Sequence, residues 1–76
     1  MEFTERDQEV LDYIRAYQQE HRYSPSIREI AKDLYISKTT AQRRLYRLLE
    51  MGHISMMPRI PRSIVLHFVV GPNTPE

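Results

Sequence analysis

Ser37-Lys38-Thr39-Thr40-Ala41-Gln42-Arg43-Arg44-Leu45-Tyr46-Arg47 gathers, within about three helical turns, the side chains best suited to reading the edges of bases. An arginine bonds both acceptors of a guanine edge, a glutamine pairs with adenine, and a threonine offers thymine a methyl and a phosphate a hydroxyl. At about 100° per residue, Thr39, Thr40, Arg43, Tyr46 and Arg47 share one helix face, flanked by Lys38, Gln42 and Arg44. Glu50 joins them near the far end, while Ala41, Leu45, Leu48 and Leu49 form the opposite, apolar arc. The candidate DNA contacts on this helix are therefore Lys38, Thr39, Thr40, Gln42, Arg43 and Arg47, with Arg43, Gln42 and Thr39 central because residues near the helix start reach deepest. Arg59 and Arg62, spaced by Ile60 and Pro61, suit a flanking minor groove or phosphates. Ser26, Arg28, Arg44 and Tyr46 are weaker candidates for the DNA backbone. The competing explanations are a solvated helix face for the arginines, packing against a neighbour for Tyr46 and simple helix capping for Ser26.

Other chemistry has little to work with. The chain of 76 residues has no cysteine, which excludes disulfides, thiolate catalysis and the commonest zinc frameworks. Its only lysines, Lys32 and Lys38, fall in the helical region, its serines sit at caps, turns or strands, and His21, His53 and His67 are scattered. No nucleophile with its base and no metal cluster follows from these positions, so neither catalysis nor a cofactor is expected. Met1-Glu2-Phe3-Thr4-Glu5 lacks the basic start of a signal peptide, and the longest apolar stretch, 64–70, is broken by His67 and falls short of the roughly 20 residues of a membrane span. A cytoplasmic protein without a membrane partner is the expectation. The net charge is +1, but residues 1–36 carry eight acids and five bases, and residues 37–76 six bases and two acids. Such a division lets one face turn positive toward a polyanion.

Local signals supply the elements that position these side chains. Thr4, followed by Glu5 and Asp7, caps a first helix of about residues 5–20, whose stripe is Val10, Leu11, Ile14 and Tyr17. Ser26 and Glu29 form a capping box ahead of Ile27, Ile30, Ala31 and Leu34, a short second helix. Ser37 caps the third, from about 38 to 51, which Gly52 ends. Two helices joined this tightly form a helix-turn-helix. Segments 53–57 and 63–70 then read as strands around Pro58-Arg59-Ile60-Pro61-Arg62. The fold class is mainly α with a small β-hairpin, a winged helix-turn-helix made of a three-helix bundle and a two-stranded wing. Residues 1–70 form the DNA-binding domain and 71–76 a flexible C-terminal tail.

Four blocks carry a family resemblance: the run from Phe3 to Arg15, Pro25-Ser26-Ile27-Arg28-Glu29-Ile30-Ala31, Arg44-Leu45 through Leu49-Glu50-Met51-Gly52-His53-Ile54, and Pro61-Arg62-Ser63-Ile64. In this order they resemble the DNA-binding domain of LexA-type repressors, from about Phe3 to Leu66. The resemblance implies base readout by the first two turns of the third helix, here Ser37, Thr39, Thr40, Gln42 and Arg43. Gln42 and Arg43 stand where enterobacterial members carry acidic residues, which implies a different operator. Tyr35 stands where a glycine is common, which implies an altered turn or a ring that packs well enough to offset strain. LexA-type repressors continue into a self-cleaving peptidase domain built on a serine and lysine pair, and this chain lacks residues for that reaction.

The function expected is therefore sequence-specific binding of double-stranded DNA by a small bacterial or mobile-element regulator, most simply a repressor. Ile64, Leu66, Phe68 and Val70 alternate with Val65, His67 and Val69, so the last strand offers an apolar face for a homodimer as well as one for the core. The alternative is a winged-helix protein–protein interaction module without a specific DNA site. A minor third reading, a Z-form nucleic-acid binder using Lys38, Gln42, Arg43 and Tyr46 with Pro61, is opposed by the absence of tryptophan.

Overall fold

Thr4 holds extended backbone and its side chain accepts the Asp7 N–H, while the Asp7 carboxylate accepts the Thr4 N–H at 2.9 Å. This reciprocal cap satisfies two of the donors that every helix start leaves open. The helix it begins is α1, Glu5–His21, closed by Arg22 in left-handed backbone. Ser26 and Glu29 repeat the arrangement at α2, Ile27–Asp33. Ser37 caps α3, Lys38–Glu50, by accepting the Thr40 N–H at 3.0 Å. The computed structural model describes residues 2–57 and 59–67. The expected tail at 71–76, and Phe68 and Val70 of the expected strand, lie outside the described residues.

The ends of α2 and α3 are built alike. At α2 the Ile36 N–H donates to the Ala31 carbonyl at 3.0 Å and the Tyr35 N–H to the Lys32 carbonyl at 3.4 Å. At α3 the His53 N–H donates to Leu48 at 3.0 Å and the Gly52 N–H to Leu49 at 3.1 Å. Both are Schellman motifs, which need a left-handed residue just past the helix. Gly52 supplies it with φ 82°, and Tyr35 with φ 58°. The turn is thus unaltered by the tyrosine, whose ring is 94% exposed, so packing does not offset the backbone strain. Both explanations offered for Tyr35 from sequence fail on these observations.

The wing is a short antiparallel pair, β1 (Ile54–Ser55) and β2 (Val65–Leu66), with Ile54 opposite Leu66 and Ser55 opposite Val65. His67 extends the pairing by donating its N–H to the His53 carbonyl at 2.9 Å, and the Ser55 hydroxyl meets the His67 ring across the hairpin. Among the described residues the strands stop short of the loop-side ends expected, where Met57 turns to Ser63 instead: the Met57 N–H donates to Ser63 Oγ at 2.9 Å, and that hydroxyl donates to the Met57 carbonyl at 3.1 Å.

One core joins all five elements. Val10 and Ile14 of α1, Ile30 and Ala31 of α2, Ala41, Leu45 and Leu48 of α3, Ile54 of β1 and Ile64 just before β2 are buried together. Leu11, Leu34, Leu49 and Leu66 pack around them, half-buried. Burial of each large apolar side chain contributes about 2 kcal/mol, and α3, with its apolar arc inward, turns the opposite face to solvent. Tyr13 adds a polar tie between α1 and α2, donating its hydroxyl to Asp33 at 2.5 Å. Burial, with that carboxylate beside it, raises the phenol's pKa above its ordinary value.

Candidate nucleic-acid interface

The Ser37 cap and the inward arc of α3 decide which side chains stand free. Lys38, Thr39, Gln42 and Arg43 are exposed, and Tyr46 is 41% exposed beside them. Thr39, Gln42, Arg43, Tyr46, Arg47 and Glu50 line a shallow depression of about 350 Å³. Ser37 is exposed too, but its hydroxyl accepts from Thr40 N and donates to the Thr40 hydroxyl at 2.9 Å, so both side chains are engaged in capping. Arg44 is half-buried, and its buried Nη1 has no hydrogen-bond partner among the described residues.

Arg47 shares the exposed face by helical angle, yet its guanidinium lies back against α1. Nη2 is 2.9 Å from Asp7 Oδ2, Nε is 3.3 Å from Oδ1, and Nη2 also donates to the Glu2 carbonyl at 2.6 Å. Asp7 is 1% exposed. The paired guanidinium, opposed by burial and helped by the Thr4 donors, holds the Asp7 carboxyl at about 2, and the same bond raises the pKa of Arg47. This two-pronged pair ties the start of α1 to α3 across 40 positions of sequence. Arg47 is one of the expected DNA contacts and lines the α3 depression, but its guanidinium is paired with Asp7, and removing it would strand a buried carboxylate.

A second arginine behaves in the same way. Arg62 Nη1 lies 2.9 Å from Glu29 Oε1 and donates to the Tyr17 hydroxyl at 3.0 Å and the Ser24 carbonyl at 3.2 Å. Its guanidinium carbon sits 4.8 Å from the centre of the Tyr23 ring. Glu29 Oε2 accepts from the Tyr17 hydroxyl at 2.9 Å, while Oε1 accepts the Ser26 N–H at 2.9 Å. The Ser26 N–H is the chief cause that brings the Glu29 carboxyl down to about 2, against burial and with help from Arg62. Ser26 is thus a capping residue, whereas Arg28 is exposed. The spacing of Ser26 and Glu29 showed their capping box, but nothing local showed that Asp7 would hold Arg47 or that Glu29 and Tyr17 would hold Arg62; the only signal for the acids was their place at the third position of each helix.

Arg59, in contrast, is exposed at the wing tip in left-handed backbone, φ 71°. Between wing and α2 runs a groove of about 680 Å³, with Ile27, Met56 and Ile64 in its wall and Arg28, Lys38 and Arg59 along it. The structure therefore brings Lys38, Thr39, Gln42 and Arg43 together on α3 and sets Arg28 and Arg59 beside them. Arg47 also lines the depression and Arg62 the groove, each paired with a carboxylate, while Arg44 is half-buried and lines neither. Of the strand expected to dimerise, Ile64 is buried in its own core, Leu66 is half-buried and Val65 is 55% exposed. Among the described residues there is no helix long and apolar enough to cross a membrane.

The family model for the LexA DNA binding domain matches residues 1–63. The chain is 43% identical over 63 residues to the LexA repressor of Thermosipho melanesiensis, covering 83% of this chain and 32% of that protein. Against the LexA repressor of Bacillus mycoides it is 39% identical over 74 residues, covering 96% of this chain and 35% of that one. It spans about a third of the length of these relatives.

Proposed function

The chain belongs to the LexA DNA-binding domain family, and on that premise we propose that it binds double-stranded DNA sequence-specifically as a transcriptional repressor, with α3 in the major groove and the wing against flanking DNA. The observation that carries this reading is the exposed run Lys38, Thr39, Gln42 and Arg43 on the first two turns of α3, opposite the buried arc Ala41, Leu45 and Leu48. Arg43 and Gln42 read bases, Thr39 meets a base methyl or a phosphate, and Lys38, Arg28 and Arg59 neutralise phosphates. Ser37 and Thr40 present the start of α3, and Tyr46 flanks the depression. Gln42 and Arg43 favour an operator with a guanine and an adenine in the positions they reach.

Selection of bound duplexes from a random-sequence pool at moderate salt tests the reading. A single enriched motif is expected, and Arg43→Ala is expected to relax one of its positions at a cost of about 1–3 kcal/mol. Retention of DNA without any enriched motif would overturn sequence-specific readout.

A further inference from the structure

We propose that Arg62 is a positioning residue that latches the wing to α1 and α2, so that Arg59 is the arginine the wing offers to DNA. The inference rests on the DNA-binding reading and adds a division of labour within the wing. Arg62 precedes β2 by three positions and carries left-handed backbone, φ 58°, a strained geometry for any residue with a side chain. Its guanidinium meets an acceptor from each neighbouring part: the Tyr17 hydroxyl of α1, the Ser24 carbonyl of the loop between α1 and α2, and the Glu29 carboxylate of α2. The Tyr23 ring covers it.

The backbone beside Arg62 is pinned by the same elements. The Ile64 N–H donates to Ser24 Oγ at 3.3 Å, and the Ile64 carbonyl accepts from Gln18 Nε2 at 3.0 Å. Ser24 itself is 4% exposed and serves both Arg62 and Ile64. A hairpin with two residues in each strand has too few ladder bonds to hold its own direction, so the wing's aim depends on these side-chain ties. Arg59 lies on the loop that Arg62 closes, and fixing its approach before binding removes an ordering cost from the complex.

Tyr17→Phe provides the test, because it removes one latch partner without changing charge. It keeps the aromatic ring against His21 and Tyr23. Loss of the hydroxyl's bonds to Arg62 and Glu29 is expected to weaken binding of a mixed-sequence duplex of about 20 base pairs by roughly threefold to tenfold. The dependence of log affinity on log salt is expected to stay the same, exchange of the Met57 amide to quicken, and the α3 amides to keep their protection. Arg62→Gln is expected to leave the salt slope unaltered while Arg59→Gln lowers it by about one. A slope lowered by about one in Arg62→Gln, or undiminished affinity in Tyr17→Phe, would overturn the latch by showing that Arg62 itself meets a phosphate or that the tie does not aim the wing. Should the unaltered chain retain no duplex at low salt, the DNA reading would fall with the role of Arg59, and the Met57 amide exchange would still report on the tie itself.

Discussion

At Tyr35 the helix-turn-helix turn departs from what local chemistry favours. A side chain in left-handed backbone costs about 1 kcal/mol, and a ring that is 94% exposed returns little of it through packing. Tyr35→Gly is therefore expected to raise stability by about 1 kcal/mol, a rise of about 4–8 °C in the thermal midpoint for a domain of this size. A lowered midpoint would mean that the ring contributes to folding. Gly52, at the equivalent place after α3, already meets that requirement. Residue type was readable at both positions from the helix-ending pattern, but only the exposed ring at Tyr35 shows that nothing packs over it to compensate.

Each of the first two helices uses its third residue twice. Asp7 caps α1 and holds Arg47; Glu29 caps α2 and holds Arg62. Both carboxyls are lowered to about 2, from ordinary values of 3.8 and 4.5. A depressed carboxyl stabilises the fold fully above its unfolded value, and the contribution disappears as pH falls through the folded one. Stability is accordingly expected to fall between pH about 4.5 and about 2, with Asp7 alone accounting for about 2 kcal/mol and the third-exposed Glu29 for less, since water screens it. Urea midpoints across that range check the window; a midpoint constant down to pH about 2 would contradict it. Arg47→Gln is expected to destabilise the fold, to flatten the Asp7 part of this dependence and to leave the salt slope of DNA binding unchanged. A slope reduced by about one would return Arg47 to the DNA-contacting set.

For the whole molecule, the nearly balanced net charge of +1 conceals a basic surface formed by α3 and the wing. Two of its arginines, Arg47 and Arg62, are paired with carboxylates, and the proposed phosphate and base contacts are Lys38, Arg43 and Arg59, with Arg28 of α2 beside them. Affinity for duplex DNA is expected to fall linearly in log salt between about 50 and 200 mM, with a slope set by these few contacts. Binding insensitive to salt would favour an apolar protein partner instead.

The sequence by itself determined the helices, their caps, the outward face of α3 and the family. Those features depend on residues three or four apart: Thr4 with Asp7, Ser26 with Glu29, and Ala41, Leu45 and Leu48 on one arc. It also foretold that a wing follows, though not how short its strands are. Tertiary structure alone decided which arginines are free. Helical angle places Arg47 beside Arg43, but an arginine's long stem lets its head lie down toward whatever element stands nearby, and Asp7 is 40 positions away in sequence. Arg62 meets Glu29, Tyr17 and Ser24 only after the wing folds back on α1 and α2. Local spacing reports the direction in which a side chain leaves the backbone, whereas the partner it finds depends on contacts between distant segments.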